Sequence, residues 1–486
     1  MKPNPSLTAG AMVLAMTAAV YADEKPAAAT PPPAPKPSAG LVNDWLRGQN
    51  SQFKAWDFGG QVRARYEVKE NGGVAGNTDF RAGAKNYNSY LLLREKIHLG
   101  YNHDWFSAYV EGRDSSSQND RRDPNPESDR FDLHQAFVTV GNKREFPVTA
   151  KVGRQEFIYG DERLVGAGYW GNLGRVFDAA KLRYEDKDTW VDGFVGRLVL
   201  PDANNFNVAN DYDWFSGVYA STRAVCPKQD TQLYFLSRNT GKQSPSAQSG
   251  SLVALPSARD IYTVGFRMKS LPGQLKGWDY ALEAATQFGS IKSGGPTSQR
   301  LDHQASALSA GGGYTLPKCP MSTRVGLEYN FASGDEDAND DKSGTFEQLF
   351  PTNHKHYGYM DFVGWKNIHN PRLSLSAKPF KQLLVSLDYH LFWLADTSDS
   401  FYTESGAARS GQTAAGNGTG YGKNSGYSSF LGSEIELDAT YAVTSYLVLR
   451  SGYGHFFAGN YQKDSFRAVG GAKDADYFYA QATFNF

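Results

Sequence analysis

Tyr477-Phe478-Tyr479-Ala480-Gln481-Ala482-Thr483-Phe484-Asn485-Phe486 alternates without a break. Phe478, Ala480, Ala482, Phe484 and Phe486 share one face. Tyr477, Tyr479, Gln481, Thr483 and Asn485 share the other. A period of two over such a length predicts a β-strand that can cross a bilayer at a tilt.

The same pattern returns along the chain. In 262–269, Tyr262, Val264, Phe266 and Met268 oppose Thr263, Gly265, Arg267 and Lys269. In 323–331, Val325, Leu327, Tyr329 and Phe331 oppose Arg324, Glu328 and Asn330. In 383–393, Leu383, Val385, Leu387, Tyr389, Leu391 and Trp393 oppose Ser386, Asp388 and His390. In 434–441, Ile435, Leu437, Ala439 and Tyr441 oppose Glu434, Glu436, Asp438 and Thr440. Each apolar face is about as tall as a hydrocarbon layer. From Trp56 onward about eighteen strands can be counted, the even number expected of a closed barrel. Short turns such as 102–104, 186–188 and 379–381 alternate with long polar connections such as 70–88, 159–175, 334–369 and 396–429. A soluble fold has no reason to sort loop lengths by parity. The expectation is an all-β fold: a closed antiparallel transmembrane β-barrel of about 18 strands, with short periplasmic turns and long extracellular loops. Two places resist phasing. Glu95 falls on the lipid side with Leu91, Leu93, Ile97 and Leu99, which suggests a bulge or a strand end. Strand 189–199 gives no clear face.

The first residues agree with export. Lys2, the apolar run Ala9 to Val20, and Val20-Tyr21-Ala22 before Asp23 read as a signal peptide over 1–22. Residues 23–56 read as a Pro/Ala-rich periplasmic linker with room for one short helix after Leu41. The barrel then spans 57–486. A terminal strand closing on Phe486 resembles the signature by which barrel assembly machinery recognises outer-membrane proteins. Aromatic residues make up 14% of the chain, and there are 50 Gly; barrels use the first at both interfaces and the second in turns. With 50 basic and 51 acidic residues, the balance argues against nucleic-acid binding. Cys226 and Cys319 fall in turns about four strands apart. At ~4.8 Å per strand that is about 19 Å, well beyond the ~6 Å a disulfide spans.

Basic residues recur on the inward face, among them Arg63, Arg65, Arg94, Arg324 and Arg450. Acids answer them, including Glu67, Glu111, Asp279 and Glu328. A satisfied ladder of ion pairs accounts for most of these. A subset left open to the pore would select anions, because guanidinium grips carboxylates as a fork and keeps its charge.

The run Lys151-Val152-Gly153-Arg154-Gln155-Glu156-Phe157 is followed by Tyr159-Gly160-Asp161-Glu162-Arg163-Leu164-Val165-Gly166. Then come Trp170-Gly171-Asn172, Gly174-Arg175, Phe177-Asp178 and Leu182-Arg183. Together they resemble the alginate export family of bacterial outer-membrane porins. Ser333-Gly334-Asp335, Leu349-Phe350-Pro351-Thr352, Asp388-Tyr389-His390-Leu391-Phe392-Trp393 and Gly432-Ser433-Glu434-Ile435-Glu436-Leu437-Asp438 extend the similarity to the end of the chain. The resemblance implies an eighteen-stranded barrel that passes a polyuronate through an arginine-lined constriction. By position it points to Arg154, Arg163, Arg175 and Arg183 as the constriction's bases, held by Asp161, Glu162 and Asp178. Arg154 shares parity with lipid-side Val152, so a bulge or strand end must turn it inward. Near the long loop, where alginate exporters carry arginine, this chain has His354, Lys355 and His356.

Other motifs weigh less. Gly166-Ala167-Gly168-Tyr169-Trp170-Gly171 fits a dinucleotide fingerprint by letters but follows no βαβ unit. Asp335, Asp337, Asn339 and Asp341 offer alternating oxygens suited to calcium, without EF-hand spacing. His354 and His356 on a loop are more often solvent-facing than zinc ligands. Apart from that calcium option, no cofactor is expected. A barrel-embedded enzyme would need a triad; Ser386, Asp388 and His390 point inward from one strand, out of mutual reach. The expected partners are outer-membrane lipid, the assembly machinery and an anionic saccharide. The alternative to a polyuronate channel is a general porin for the uptake of small acidic solutes.

Overall fold

The computed structural model describes residues 40–142, 145–241, 258–292, 299–409 and 420–486. The expected signal peptide and the first half of the expected 23–56 linker lie outside the described residues. Helix α1 (Leu41–Gln49) and a 3-10 turn (Ser51–Ala55) precede the first strand. The strands are β1 (Trp56–Glu70), β2 (Asn88–Asn102), β3 (Phe106–Gln118), β4 (Asp129–Val140), β5 (Val148–Gln155), β6 (Phe177–Glu185) and β7 (Thr189–Leu200). There follow β8 (Val208–Thr222), β9 (Gln229–Thr240), β10 (Arg259–Ser270), β11 (Trp278–Lys292), β12 (Arg300–Thr315) and β13 (Arg324–Ala332). The last are β14 (Lys342–Ser343), β15 (Ile368–Phe380), β16 (Leu383–Trp393), β17 (Phe430–Ala442), β18 (Leu447–Ala458) and β19 (Ala475–Asn485).

All but β14 form the wall, which gives an 18-stranded antiparallel barrel. β14 is a two-residue strand inside a loop and pairs in parallel with β12. β1 pairs with β2 on one side and with β19 on the other, from Gln61↔Asn485 to Glu70↔Asp476. Closure leaves no strand edge facing hydrocarbon, where an unpaired peptide group has no partner. The seam continues beyond the ladder: Gly60 N–H donates to Phe486 O, and Phe486 N–H to Gly60 O, each at 3.0 Å. Gly60 is needed there, because a Cβ would run into Lys96 O and the Phe486 ring.

The two faces separate as the alternation predicts. Leu375, Leu387 and Leu437 lie side by side across β15, β16 and β17 and are exposed on the outer face. Asp388, His390, Glu434, Glu436 and Asp438 on the same strands are buried inside. The connections 103–105, 186–188, 381–382 and 443–446 at one end are short, and most of those at the other end are longer, as at 71–87, 156–176 and 394–429. The short end is the periplasmic one. No helix among the described residues is long and apolar enough to cross a membrane.

Five details differ from the sequence reading or complete it. Glu95 sits mid-strand in an unbroken ladder between Val62 and Asp114 and faces outward, at neither the bulge nor the strand end expected. Arg154 does turn inward, at the end of the β4–β5 ladder. Gly153 allows this with φ +125°, a conformation that side-chain-bearing residues rarely adopt. β7 could not be phased because it carries Phe194 inward and has a register shift between Arg197 and Val199. The loops read as long and polar also hold buried apolar residues, for the reason given below. Cys226 and Cys319 are free thiols.

Two pairs of substitutions test this architecture. Leu387→Arg places a charge mid-strand on the lipid face and should destabilise the barrel by ~2–4 kcal/mol. Ser386→Arg, one residue away and facing the lumen, should be tolerated. Urea titration in detergent or liposomes would compare them, and equal effects would mean a wrong strand phase. Gly60→Ala should abolish the heat-modifiable folded band by blocking the seam. Gly193→Ala, where a Cβ meets nothing within 4 Å, should keep that band.

Candidate pore constriction

Two loops fold into the lumen and meet there. One is 156–176, between β5 and β6; the other is 344–367, between β14 and β15. Their backbones join almost as strands do. Phe350 N–H donates to Leu164 O (2.9 Å), Gly166 N–H to Phe350 O (2.8 Å) and Thr352 N–H to Glu162 O (2.9 Å). Val165 and Phe350 form a parallel bridge. The apolar residues of these loops explain the inward fold. Phe157, Leu164, Val165, Leu349 and Phe350 are buried with Phe177, Phe194 and Phe215 of the wall. Ring centroids lie 4.7 Å apart for Phe157–Phe194 and 4.9 Å for Phe215–Phe350. At ~1.5–3 kcal/mol for each fully buried large side chain, this sector is strong enough to hold the loops inside.

Most of the arginines singled out from sequence fasten this loop layer. Arg63 donates to the carbonyls of Tyr169 (2.9 Å), Trp170 (3.1 Å) and Gly171 (3.2 Å). Arg94 reaches Tyr169 O (3.2 Å) and Gly171 O (3.3 Å). Arg65 donates to Trp170 O (2.7 Å) and Glu67 (2.6 Å), and its guanidinium lies 3.8 Å from the Trp170 ring centroid. Arg450 pairs with Asp438 at 3.0 Å and is 5.4 Å from the same ring. Arg175 links the two loops, donating to Gly166 O and Phe350 O (2.8 Å each) and to Pro351 O (3.1 Å). Burial, then the neighbouring Arg238, pushes its pKa down to about 10, so it stays charged at neutral pH. Arg163 pairs with Glu328 at 2.9 Å and donates to Tyr357 Oη at 3.1 Å. Arg154 and Arg183 stand on the β5–β6 wall. Arg154 grips Asp178 bidentately (2.8 and 3.1 Å), and Arg183 grips Asp192 (2.5 and 2.8 Å).

Of the three acids expected to hold these bases, Asp178 takes Arg154 and the other two pair elsewhere. Asp161 pairs with Arg267 and Lys269, each at 2.7 Å. Burial opposes its ionisation, but those two cations win and hold its pKa at about 2. Glu162 pairs with Lys355 at 2.8 Å. His354 stacks on Trp170, centroids 3.6 Å apart, with Tyr359 at 4.8 Å. Its Nδ1 is 3.0 Å from Asp361. Burial, then Arg450 and Arg65, keeps this imidazole neutral. Burial likewise pushes Asp361 up to about 7, so the contact is a hydrogen bond rather than a full ion pair.

Some fastenings went unnoticed in the sequence. Glu434 accepts from Met360 N–H at 3.0 Å, and Glu436 accepts from Tyr359 N–H, pinning the second loop to β17. Arg238 pairs with Asp213 (2.7 Å) and sits 4.3 Å from the Phe350 ring. Inward alternation on β9 and β17 was the available signal; the partner was not. His390 hydrogen-bonds Asn370 across the strands. In the acidic run, Asp337 accepts from Asn339 N–H and Asp335 N–H donates to Asp399. Asp341 O accepts from Asp302 N–H. Among the described residues no three His, Cys, Asp or Glu side chains are grouped to hold a metal ion.

A cavity lies on each side of the loop layer. The outer one, about 570 Å³, is bounded by the long loops, Trp170, Arg175 and His354. The inner one, about 820 Å³, reaches the short turns at Pro272 and Pro317 and includes Lys355 and His356. No residue lines both. Their charges differ. The inner cavity has five Lys or Arg (Arg163, Lys269, Arg324, Lys355, Arg372) against three acids (Asp161, Asp279, Glu328). The outer has four (Lys69, Arg122, Arg175, Arg409) against five (Glu67, Asp79, Glu127, Asp361, Glu404). Of the cations lining the two cavities, the most accessible belong to the inner one: Lys269, Lys355 and Arg324 side chains are 47, 42 and 33% exposed.

With that geometry in view, residues 54–473 match the alginate export family. No curated protein matches the sequence. Among solved structures, the barrel is similar to OccK11 (OpdR) of Pseudomonas aeruginosa, with TM-score 0.51 and 13% identity over 89% of this chain and 96% of that one. OccAB1 of Acinetobacter baumannii gives TM-score 0.53 and 10% identity over 89% and 97%. Pseudomonas aeruginosa OpdK, solved with vanillate, gives 0.53 and 10% over 88% and 98%. At such identities the likeness is one of fold. Family and structural neighbours are transport channels rather than enzymes. The barrel is an outer-membrane channel of the Gram-negative type, and its chain belongs to the alginate export family.

Proposed function

We propose that this channel passes an anionic saccharide or polyuronate passively, with the loop layer as its constriction and the inner cavity as its basic vestibule. The excess of cations over acids in that cavity is the observation that carries the reading. Carboxylates are attracted to such a surface, and hydrogen-bonded, partly exposed cations release them again. A second reading, uptake of small acidic solutes, is supported by the packed loop layer, which suits a compact solute. OpdK, a barrel of like fold, was solved with a small carboxylate.

Planar-bilayer recording under a potassium chloride gradient tests the reading. The reversal potential should show a preference for chloride. Oligouronates should block the current more strongly than the monomer if the solute is a polymer. Small aromatic or sugar acids should permeate without lasting block under the second reading. A cation-selective wild type would overturn both.

The clamp at Arg175 gives a separate expectation. Arg175→Gln removes two hydrogen bonds to the second loop and one within its own, and the Gly166 and Pro351 carbonyls cost about 1–3 kcal/mol each if left unpaired. The variant should keep its folded, heat-modifiable band but show larger or noisier single-channel currents. Wild-type conductance and noise would mean that the loops do not limit the pore.

A further inference from the structure

Asp161 and Glu162 are adjacent, and Glu162 is held at φ +65°, a conformation uncommon for non-glycine residues. The turn sends the two carboxylates to different lysines. Asp161 Oδ1 meets Lys269 Nζ of β10 at 2.7 Å. Glu162 Oε1 meets Lys355 Nζ of the facing loop at 2.8 Å. Both lysines are more than two-fifths exposed and line the inner cavity. This sets them apart from Arg163 and Arg175, which are buried against carbonyls or acids. Exposed ion pairs add little net stability and exchange readily. Neither acid is stranded if its lysine leaves. Asp161 keeps Arg267 at 2.7 Å, and Glu162 keeps the Thr352 hydroxyl at 2.7 Å.

We propose that Asp161 and Glu162 are tethered competitors for the solute. A carboxylate entering the inner cavity takes their places on Lys269 and Lys355, and that exchange unfastens the inner side of the loop layer. The inference rests on the anionic-solute reading and adds to it the residues that bind first and a link between binding and opening. One carboxylate replaces another at each lysine, so both lysines stay paired; displaced Asp161 keeps Arg267, and displaced Glu162 keeps the Thr352 hydroxyl in the field of Arg175. The Glu162–Lys355 pair ties one loop to the other, and the Asp161–Lys269 pair ties a loop to the wall. Loss of both loosens the same turn on two sides, where Arg267 and the Thr352 contacts still hold it.

Single-channel recording of the full chain in bilayers, with sodium galacturonate added on the short-turn side, decides the matter. In the wild type the open fraction should rise several-fold as galacturonate is added. Asp161→Asn with Glu162→Gln should start from a raised open fraction and respond little further. Lys269→Gln with Lys355→Gln should lose most of the galacturonate response. Lys269→Gln alone, a change at an exposed wall position, should weaken the response even if a double variant fails to fold. An anion-selective wild type whose open fraction ignores galacturonate would overturn the exchange and leave the channel reading intact. So would acid variants that match the wild type in basal opening and response. A cation-selective wild type would instead remove the anionic-solute reading itself.

Discussion

A bilayer offers a peptide group nothing to hydrogen-bond with, and most of this structure follows from that. Each wall strand must pair on both sides, so the sheet has to close. Closure turns one face of every strand to lipid and the other to the lumen. The lipid face takes Leu, Val, Phe and Tyr, and the lumen collects the charges. Those charges then need partners at close quarters, since the lumen is largely filled by the protein's own loops.

The loops have the complementary need. A segment folded into a barrel carries backbone carbonyls away from bulk water, and few strands are free to pair with them. Guanidinium offers several donors on a rigid fork and no acceptor, which suits a cluster of carbonyls. Arg63, Arg94 and Arg175 each reach two or three of them. Carboxylates perform the reverse task, and Glu434 and Glu436 receive backbone N–H groups of the second loop. The charged lumen is thus first a scaffold for the inward loops. Lys269, Lys355 and Arg324 at its inner side stay partly exposed.

Much of the wall was legible in the sequence because alternation reports which residues seek hydrocarbon. Leu387 against Ser386 and Val325 against Arg324 were assigned from pattern alone. The pattern fails where the lumen is itself apolar. Phe194 points inward into an aromatic cluster, so β7 offers hydrophobic residues on both faces. It also fails at Arg154, whose direction depends on the backbone at Gly153 rather than on parity. The inward fold of 156–176 was hidden because length and polarity mark a loop without saying where it lies. Partner choice was the least legible. Asp161 stands two residues from Arg163 in sequence yet serves Arg267 and Lys269 of β10. Such pairings are set by the assembled barrel, and local spacing carries no trace of them.

The seam between β1 and β19 also governs how the chain reaches this state. Gln61 and Asn485 hydrogen-bond across 424 residues of sequence. Contacts of that separation form slowly, because the loop entropy is lost before any pairing rewards it. Until β19 arrives, β1 presents an open row of unpaired donors and acceptors next to an apolar face. Such an edge invites pairing with other chains. The β1 edge is therefore open to misassociation for as long as the last strand has not docked, and a seam made by the two ends of the barrel keeps it open longest.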